Sequence, residues 1–360
     1  MNRHPDIRRS GLRRTHRNRG FTLIELMIAM LLGLIVIAGV TSVFLAGQKS
    51  YRTNGALADV EDGSRVAFEL LARDIRQAGE TGCDTSSGRI TNVLKNSPGG
   101  TTTPAWWADF SNAVHGYGGA NSASVDADAN QDDPAVTTGT GVGQRVAGTD
   151  SLQIMGGGGG PVSIQVDHPG SNFFINEKTT TLQTGDLIVV CSPDHAAILQ
   201  ISDYNNNTVT VGYNKGSKNS PGNCSTNLGY PNPGGCSGNS PDYTFPKNSA
   251  LSKLSASDWY IGNNPVNGNS LYRISVVTSG GNAAAQANEV VRGVQDMQIT
   301  YLQNPNTTFV AANVVSDWSA VSAVRITLTV ESTFQRASVN GDQPISRTYS
   351  ATTAIRNRVE

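Results

Sequence analysis

Four short constellations have residue types that could do chemistry. Asp126-Ala-Asp128-Ala-Asn130-Gln-Asp132-Asp133 spaces side-chain oxygens at alternate positions, as calcium loops do. It has Gln131 where the turn glycine of such a loop falls and Thr137 where the bidentate glutamate falls, so Asp126, Asp128, Asn130 and Asp132 are a weak calcium set beside the ordinary reading of a solvated acidic loop. Gly156 to Gly160 is a run of five glycines, but a proline follows it and no Lys-Ser or Lys-Thr does, which argues against a phosphate cradle and for a flexible turn between strands. Asp194-His195 lies close to Cys191, yet a cysteine held in a disulfide cannot attack a substrate. Trp106-Trp107 would serve as an aromatic platform if exposed, or as packing for an insertion if buried. None of these assembles into a catalytic set, and the chain reads as a non-enzyme that needs no cofactor.

A fifth feature concerns one carboxylate. Glu25 stands inside Phe21-Thr22-Leu23-Ile24-Glu25, directly before the 22 uncharged residues Leu26 to Gly47. A helix of that length rises about 33 Å, against a hydrocarbon core of about 30 Å. Some fifteen Leu, Ile, Val and Phe residues, each contributing about 0.3 to 0.6 kcal/mol to insertion, outweigh one acid costing about 3 kcal/mol at most. The apolar run is too long for a cleaved secretory signal. Glu25 is therefore tolerable in a membrane span, and costly enough to need a partner.

Charge along the chain is unevenly placed. Arg3, Arg8, Arg9, Arg13, Arg14, Arg17 and Arg19 precede the span, with only Lys49 and Arg52 just beyond it, so the amino terminus is expected in the cytoplasm and the remainder outside. Net charge over 360 residues is -1. The leader holds seven of the 27 basic residues and one of the 28 acidic ones, which leaves the rest near -7 and without general attraction to nucleic acid.

Beyond the span, Leu57, Val60, Ser64, Ala67, Leu71 and Ile75 recur at steps of three and four, while Asp59, Glu61, Asp62, Arg65, Glu69, Arg73 and Asp74 fill the other faces. Residues 22 to 78 read as one long helix ended by Gly79, with weak points at Gly33, Gly39 and Asn54-Gly55. Past it the pattern turns to strands at Ser151–Met155, Val162–Val166, Asp186–Cys191, Ile198–Ile201, Thr208–Tyr213, Leu271–Val277, Glu289–Tyr301, Val321–Val330 and Ser346–Ile355, with Asn205-Asn206-Asn207 as a hairpin turn. The stretches 84–149 and 214–257 read as irregular insertions. Four cysteines with no CxxC spacing favour disulfides over a metal, with Cys224–Cys236 closing a Gly/Pro/Asn-rich loop and Cys83–Cys191 as the second pair. Such a short loop is worth about 3 kcal/mol in the chain-entropy model.

Arg19-Gly20-Phe21-Thr22-Leu23-Ile24-Glu25 resembles the processing site of type IV pilins and type II secretion pseudopilins. The resemblance implies cleavage between Gly20 and Phe21 by a prepilin peptidase, with methylation of the new amine on Phe21. It also implies that Phe21, Thr22 and Glu25 act in assembly, Glu25 pairing with the amine of a neighbouring subunit; a pair within one helix, four residues apart, is equally allowed. Major pilins commonly carry a proline about twenty residues into the mature helix, where this chain has Ser42. Glu289 to Tyr301, Val324 to Val330 and Thr352 to Arg358 are similar to the carboxy-terminal half of PilW-type minor pilins.

The implied fold is α+β and pilin-like: a long N-terminal helix packed on an antiparallel β-rich head. The implied division is a cleaved leader at 1–20, a membrane or filament-core helix at 21–47, its amphipathic continuation at 48–79 and the head at 80–360. The implied role is a minor pilin of a priming or tip complex in type IV pilus assembly, connected with twitching motility. Its partners would be the prepilin peptidase, other minor pilins, the major pilin, a tip adhesin and the inner membrane, from which it would move to the pilus at the cell surface. A type II secretion pseudopilin, or a tip adhesin that uses the head loops for cell adhesion, is the alternative.

Overall fold

The computed structural model describes residues 20–82, 89–110, 113–119, 132–216, 218–230, 236, 240–266, 268–334 and 343–358. The chain divides into two compact units, Met1–Asn54 and Gly55–Glu360. The helix α1 (Leu23–Arg76) contributes its first part to one and its second part to the other.

In the first unit the helix carries no charge from Leu26 to Gly47 and shows apolar side chains on every side there. Phe21, Leu23, Ile24, Met27, Leu34, Val43 and Phe44 are all exposed. An all-round apolar helix needs an apolar surrounding, and this one is long and apolar enough to cross a membrane. Ser42, at the position where major pilins commonly have proline, donates its hydroxyl to the Gly39 carbonyl at 2.8 Å, so the helix continues through it.

In the second unit α1 buries one stripe, Ala56, Val60, Ser64, Ala67, Leu71 and Ile75. The expected stripe began at Leu57; Ala56 takes the buried place, and Leu57 packs beside it against Ile345. The strands that follow are β1 (Ile90–Asn92), β2 (Val114–Tyr117), β3 (Ser151–His168), β4 (Asn172–Ile175), β5 (Leu187–Ser192), β6 (His195–Gln200), β7 (Asp203–Asn205) and β8 (Thr210–Gly212). After them come β9 (Ala250–Asn263), β10 (Asn269–Ser279), β11 (Asn282–Arg292), β12 (Val294–Gln303), β13 (Phe309–Val310), β14 (Val321–Glu331) and β15 (Ser346–Ala354).

Among the described residues these form an 11-stranded sheet, with backbone order β1-β6-β5-β9-β3-β4-β8-β7 and with β10, β11 and β2 attached, and a 4-stranded sheet ordered β13-β12-β14-β15. Pairing is antiparallel apart from β1 with β6. The helix stripe faces alternate residues of both sheets: Met297, Ile299 and Tyr301 on β12, Val324, Ile326 and Leu328 on β14, and Leu152, Ile154 and Trp259 from the larger sheet. Burying a side chain such as Leu71 or Ile75 there contributes about 1.5 to 3 kcal/mol.

The structure corrects several sequence expectations. The glycine run is not a turn: it lies within β3, and Val162–Val166 belongs to the same strand as Ser151–Met155. Close backbone approach is the reason. A Cβ on Gly156 would stand 2.4 Å from the carbonyl oxygen of Gln77, just past the helix, and one on Gly157 2.9 Å from the Ser252 hydroxyl and 3.2 Å from the Glu80 carbonyl. The N–H of Gly79 donates to the Met155 carbonyl at 2.7 Å, and the N–H of Gly157 to the Glu80 carbonyl. Glycine here lets the end of the helix connection hydrogen-bond to the strand. Gly156→Ala is expected to destabilise the protein by about 1 to 3 kcal/mol, whereas Gly160→Ala, with nothing within 4 Å of its Cβ, serves as a near-neutral control. Equal thermal unfolding midpoints for the two variants would remove this account.

The expected strand Glu289–Tyr301 is two strands parted at Gly293, whose φ is +79°. A Cβ there would meet the Glu331 carbonyl at 2.2 Å. Gly293 receives the N–H of Glu331 at 2.7 Å and donates to Asn269 at 3.0 Å, so the chain passes at this residue from the larger sheet to the smaller. Strand β9 begins at Ala250, inside the stretch read as irregular, and β1 and β2 lie within 84–149.

Candidate processing and assembly segment

The backbone enters α1 through Gly20, Phe21 and Thr22, none of which is helical. The first intrahelical bond runs from the Leu26 N–H to the Thr22 carbonyl at 3.2 Å, which makes Thr22 the residue that caps the helix and Glu25 the third residue of its first turn. Their side chains bond reciprocally. The Thr22 hydroxyl accepts the Glu25 N–H at 3.3 Å, and Glu25 Oε2 accepts the Thr22 N–H at 3.1 Å and its hydroxyl at 3.0 Å. This is a capping box, two otherwise orphaned N–H groups satisfied by two side chains.

Two consequences follow for chemistry. The Gly20–Phe21 bond lies outside the helix, in backbone that an enzyme can take up in extended form. Oε2 of Glu25 is committed to Thr22, while Oε1 has the same negative charge to offer a cation, such as an amine created at Phe21. Sequence reasoning treated Glu25 as a charge in search of a partner and missed its capping role, although the spacing Thr-x-x-Glu before an apolar run is the signal for it.

The two later sequence candidates divide. Cys224 and Cys236 are joined, with Cα atoms 5.4 Å apart and 12 positions between them in sequence. Cys191 is buried and disulfide-bonded, while Cys83 lies outside the described residues. Asp126, Asp128 and Asn130 of the calcium set also lie outside them, and Asp132 is exposed. Among the described residues no group of three His, Cys, Asp or Glu side chains is placed to hold a metal ion.

The remaining candidates are absorbed by the fold. His195 is buried with its Nε2 against the Leu228 carbonyl, and burial lowers its pKa. Asp194 accepts the hydroxyls of Ser192 and Tyr243, each at 2.9 Å, and these bonds lower its pKa. Cys191, the nucleophile the sequence suggested beside them, is disulfide-bonded. Trp107 is buried and Trp106 half-buried against the core formed with Met155 and Val189, so the pair is packing rather than a platform.

The helical periodicity puts Asp74 among the residues of the polar faces. Its Oδ2 instead accepts from the Trp259 indole N–H at 3.0 Å and the Ser257 hydroxyl at 3.1 Å, and pairs with Arg273 at 2.9 Å. Arg273 in turn lies over the Trp259 ring, 5.4 Å from its centre. These contacts tie the last turn of α1 to β9 and β10.

Comparison with known families gives two matches. Residues 15–41 match the family model described as the prokaryotic N-terminal methylation motif. Residues 258–358, from β9 to the end of the described chain, match the model described as type IV pilus-assembly protein W. No curated protein matches the chain.

Proposed function

We propose that this chain, a type IV pilus-assembly protein of the PilW type with an N-terminal methylation motif, is a structural minor pilin that acts in the priming or tip complex from which a pilus is built. The observation that carries the reading is the one helix with two surroundings. Its first part begins at the capped Thr22 and shows apolar side chains on every side from Leu26 to Gly47, and its second part buries a single stripe in the head. An apolar helix of this kind can be exchanged between lipid and a bundle of like helices, because both are apolar.

On this reading the prepilin peptidase cuts between Gly20 and Phe21 and the new amine is methylated. The head stands on the far side of the inner membrane, and the subunit leaves the bilayer as neighbouring minor and major pilins pack against residues 21–47. The role is one of assembly rather than catalysis, a reading supported by the match to a pilus-assembly family and by polar candidates consumed by the fold.

The test is mass spectrometry of crosslinked, sheared pili, with a deletion strain beside it. The protein is expected in the sheared fraction linked to other pilins, and the deletion is expected to abolish surface piliation and twitching while exoprotein secretion continues. Lost secretion with intact pili would assign the chain to type II secretion instead.

A further inference from the structure

Strand β9 carries an aspartate, Asp258, into the interior beside Gln153 of β3 and Ile274 of β10. Its side chain is fully buried, and neither carboxyl oxygen meets an N–H or hydroxyl donor. Asp133 lies within hydrogen-bond reach of it. The two carboxyl groups differ sharply in their surroundings. Asp133 accepts the Ala135 N–H at 2.8 Å, the Gln153 amide at 2.9 Å and the Ser151 hydroxyl. Asp258 has none of these. A buried carboxylate without donors and next to a second carboxylate is among the costliest arrangements a protein interior can hold.

The other groups facing the pair do not remove that cost. Arg145 is buried nearby and donates to the carbonyls of Thr149 at 3.0 Å and Tyr117 at 3.1 Å. Tyr117, Tyr260 and Tyr301 surround the pair from β2, β9 and β12 as neutral phenols, their pKa values raised by burial. His115 of β2 faces Asp133, and burial lowers its pKa. Asp150 is raised by burial to about 6.

We propose that Asp258 is a neutral carboxylic acid that donates its proton to the Asp133 carboxylate, and that this shared proton latches residues 132–136 onto strands β3 and β9. One proton then removes the like-charge clash and joins one oxygen of Asp258 to Asp133, while the other oxygen of Asp258 becomes an uncharged carbonyl. Burial raises the pKa of Asp258 well above that of an ordinary aspartate. For an acid raised in the folded state, the proton's contribution is complete at low pH and is lost as pH climbs through the folded value. The latch therefore weakens as pH rises.

The test is the thermal unfolding midpoint of the full-length protein in detergent micelles between about pH 5 and about pH 9, a window that opens just above the ordinary aspartate range and in which Asp150, raised to about 6, is common to wild type and variants. The wild-type midpoint is expected to fall across it. Asp258→Asn supplies an amide N–H to Asp133, and is expected to raise the midpoint at the alkaline end by about 2 °C or more and to flatten the profile. Asp133→Asn offers one acceptor oxygen to three donors and is expected to lower it. A flat wild-type profile overturns the proposal, and does so even if Asp258→Asn does not fold. Reversed effects of the two variants would put the proton on Asp133 and overturn the assignment. A midpoint raised by millimolar calcium in wild type but not in Asp258→Asn would show a cation between the carboxyl groups and overturn it as well.

Discussion

Glu25→Ala is expected to leave membrane insertion and cleavage at Gly20–Phe21 intact, while the variant's share in sheared pili falls at least about tenfold, the equivalent of about 1.4 kcal/mol in the assembly equilibrium. Insertion survives because the change removes the one charge from the start of an apolar run that is already long enough to span. Assembly suffers because the carboxylate is the group in this segment able to pair with a neighbour's terminal amine in low dielectric. Capping must be separated from charge. Glu25→Gln keeps an oxygen that can accept the Thr22 N–H, and Thr22→Ala removes the hydroxyl of the box while leaving the charge; loss of a cap costs about 0.5 to 2 kcal/mol. If charge pairing governs, Gln follows Ala and Thr22→Ala stays close to wild type. If capping governs, that order reverses. Immunoblots of membrane and sheared fractions, with processed and unprocessed bands resolved, provide the readout, and undiminished Glu25→Ala in pili would end the pairing account.

What could be read from sequence depended on whether the signal was local. The helix expected at 22–78 is found at Leu23–Arg76, because an uninterrupted apolar run followed by steps of three and four states its own geometry. Strands such as β5 and β14, rich in β-branched residues, declared themselves in the same way. Strand β9 did not. Its Ser252, Ser255, Ser257 and Asp258 look like loop residues, and only pairing with β3, β5 and β10 makes them strand. The five glycines failed for the converse reason: glycine has no intrinsic preference for a strand, and its value in β3 comes from the carbonyls of Gln77 and Glu80, which pass close to it. At the amino terminus the bonds between Thr22 and Glu25 have a local signal, the spacing Thr-x-x-Glu before an apolar run.

Asp74 was the side chain least legible of all, since nothing local separates it from Asp59 or Asp62, and its loss is expected to have the largest effect on the head. Asp74→Ala should destabilise the protein by about 2 to 4 kcal/mol. The change leaves the Trp259 indole and the Ser257 hydroxyl, both buried, without this acceptor, and leaves Arg273, one-third exposed, without its carboxylate. Partial exposure of the arginine holds the figure below that of a fully buried pair. Arg273→Ala alone should cost less, because Asp74 keeps two donors. A double-mutant cycle between the two positions should return a coupling of about 1 to 2 kcal/mol, and Asp74→Asn should fall between wild type and Asp74→Ala, since its one oxygen can still accept from Trp259. In chemical denaturation of the full-length protein in detergent, the midpoint should follow that order while the slope holds steady. Additive single mutants would mean that Asp74 and Arg273 act apart, and a midpoint unmoved by Asp74→Ala would mean that the apolar stripe alone holds the last turn of the helix to β9 and β10.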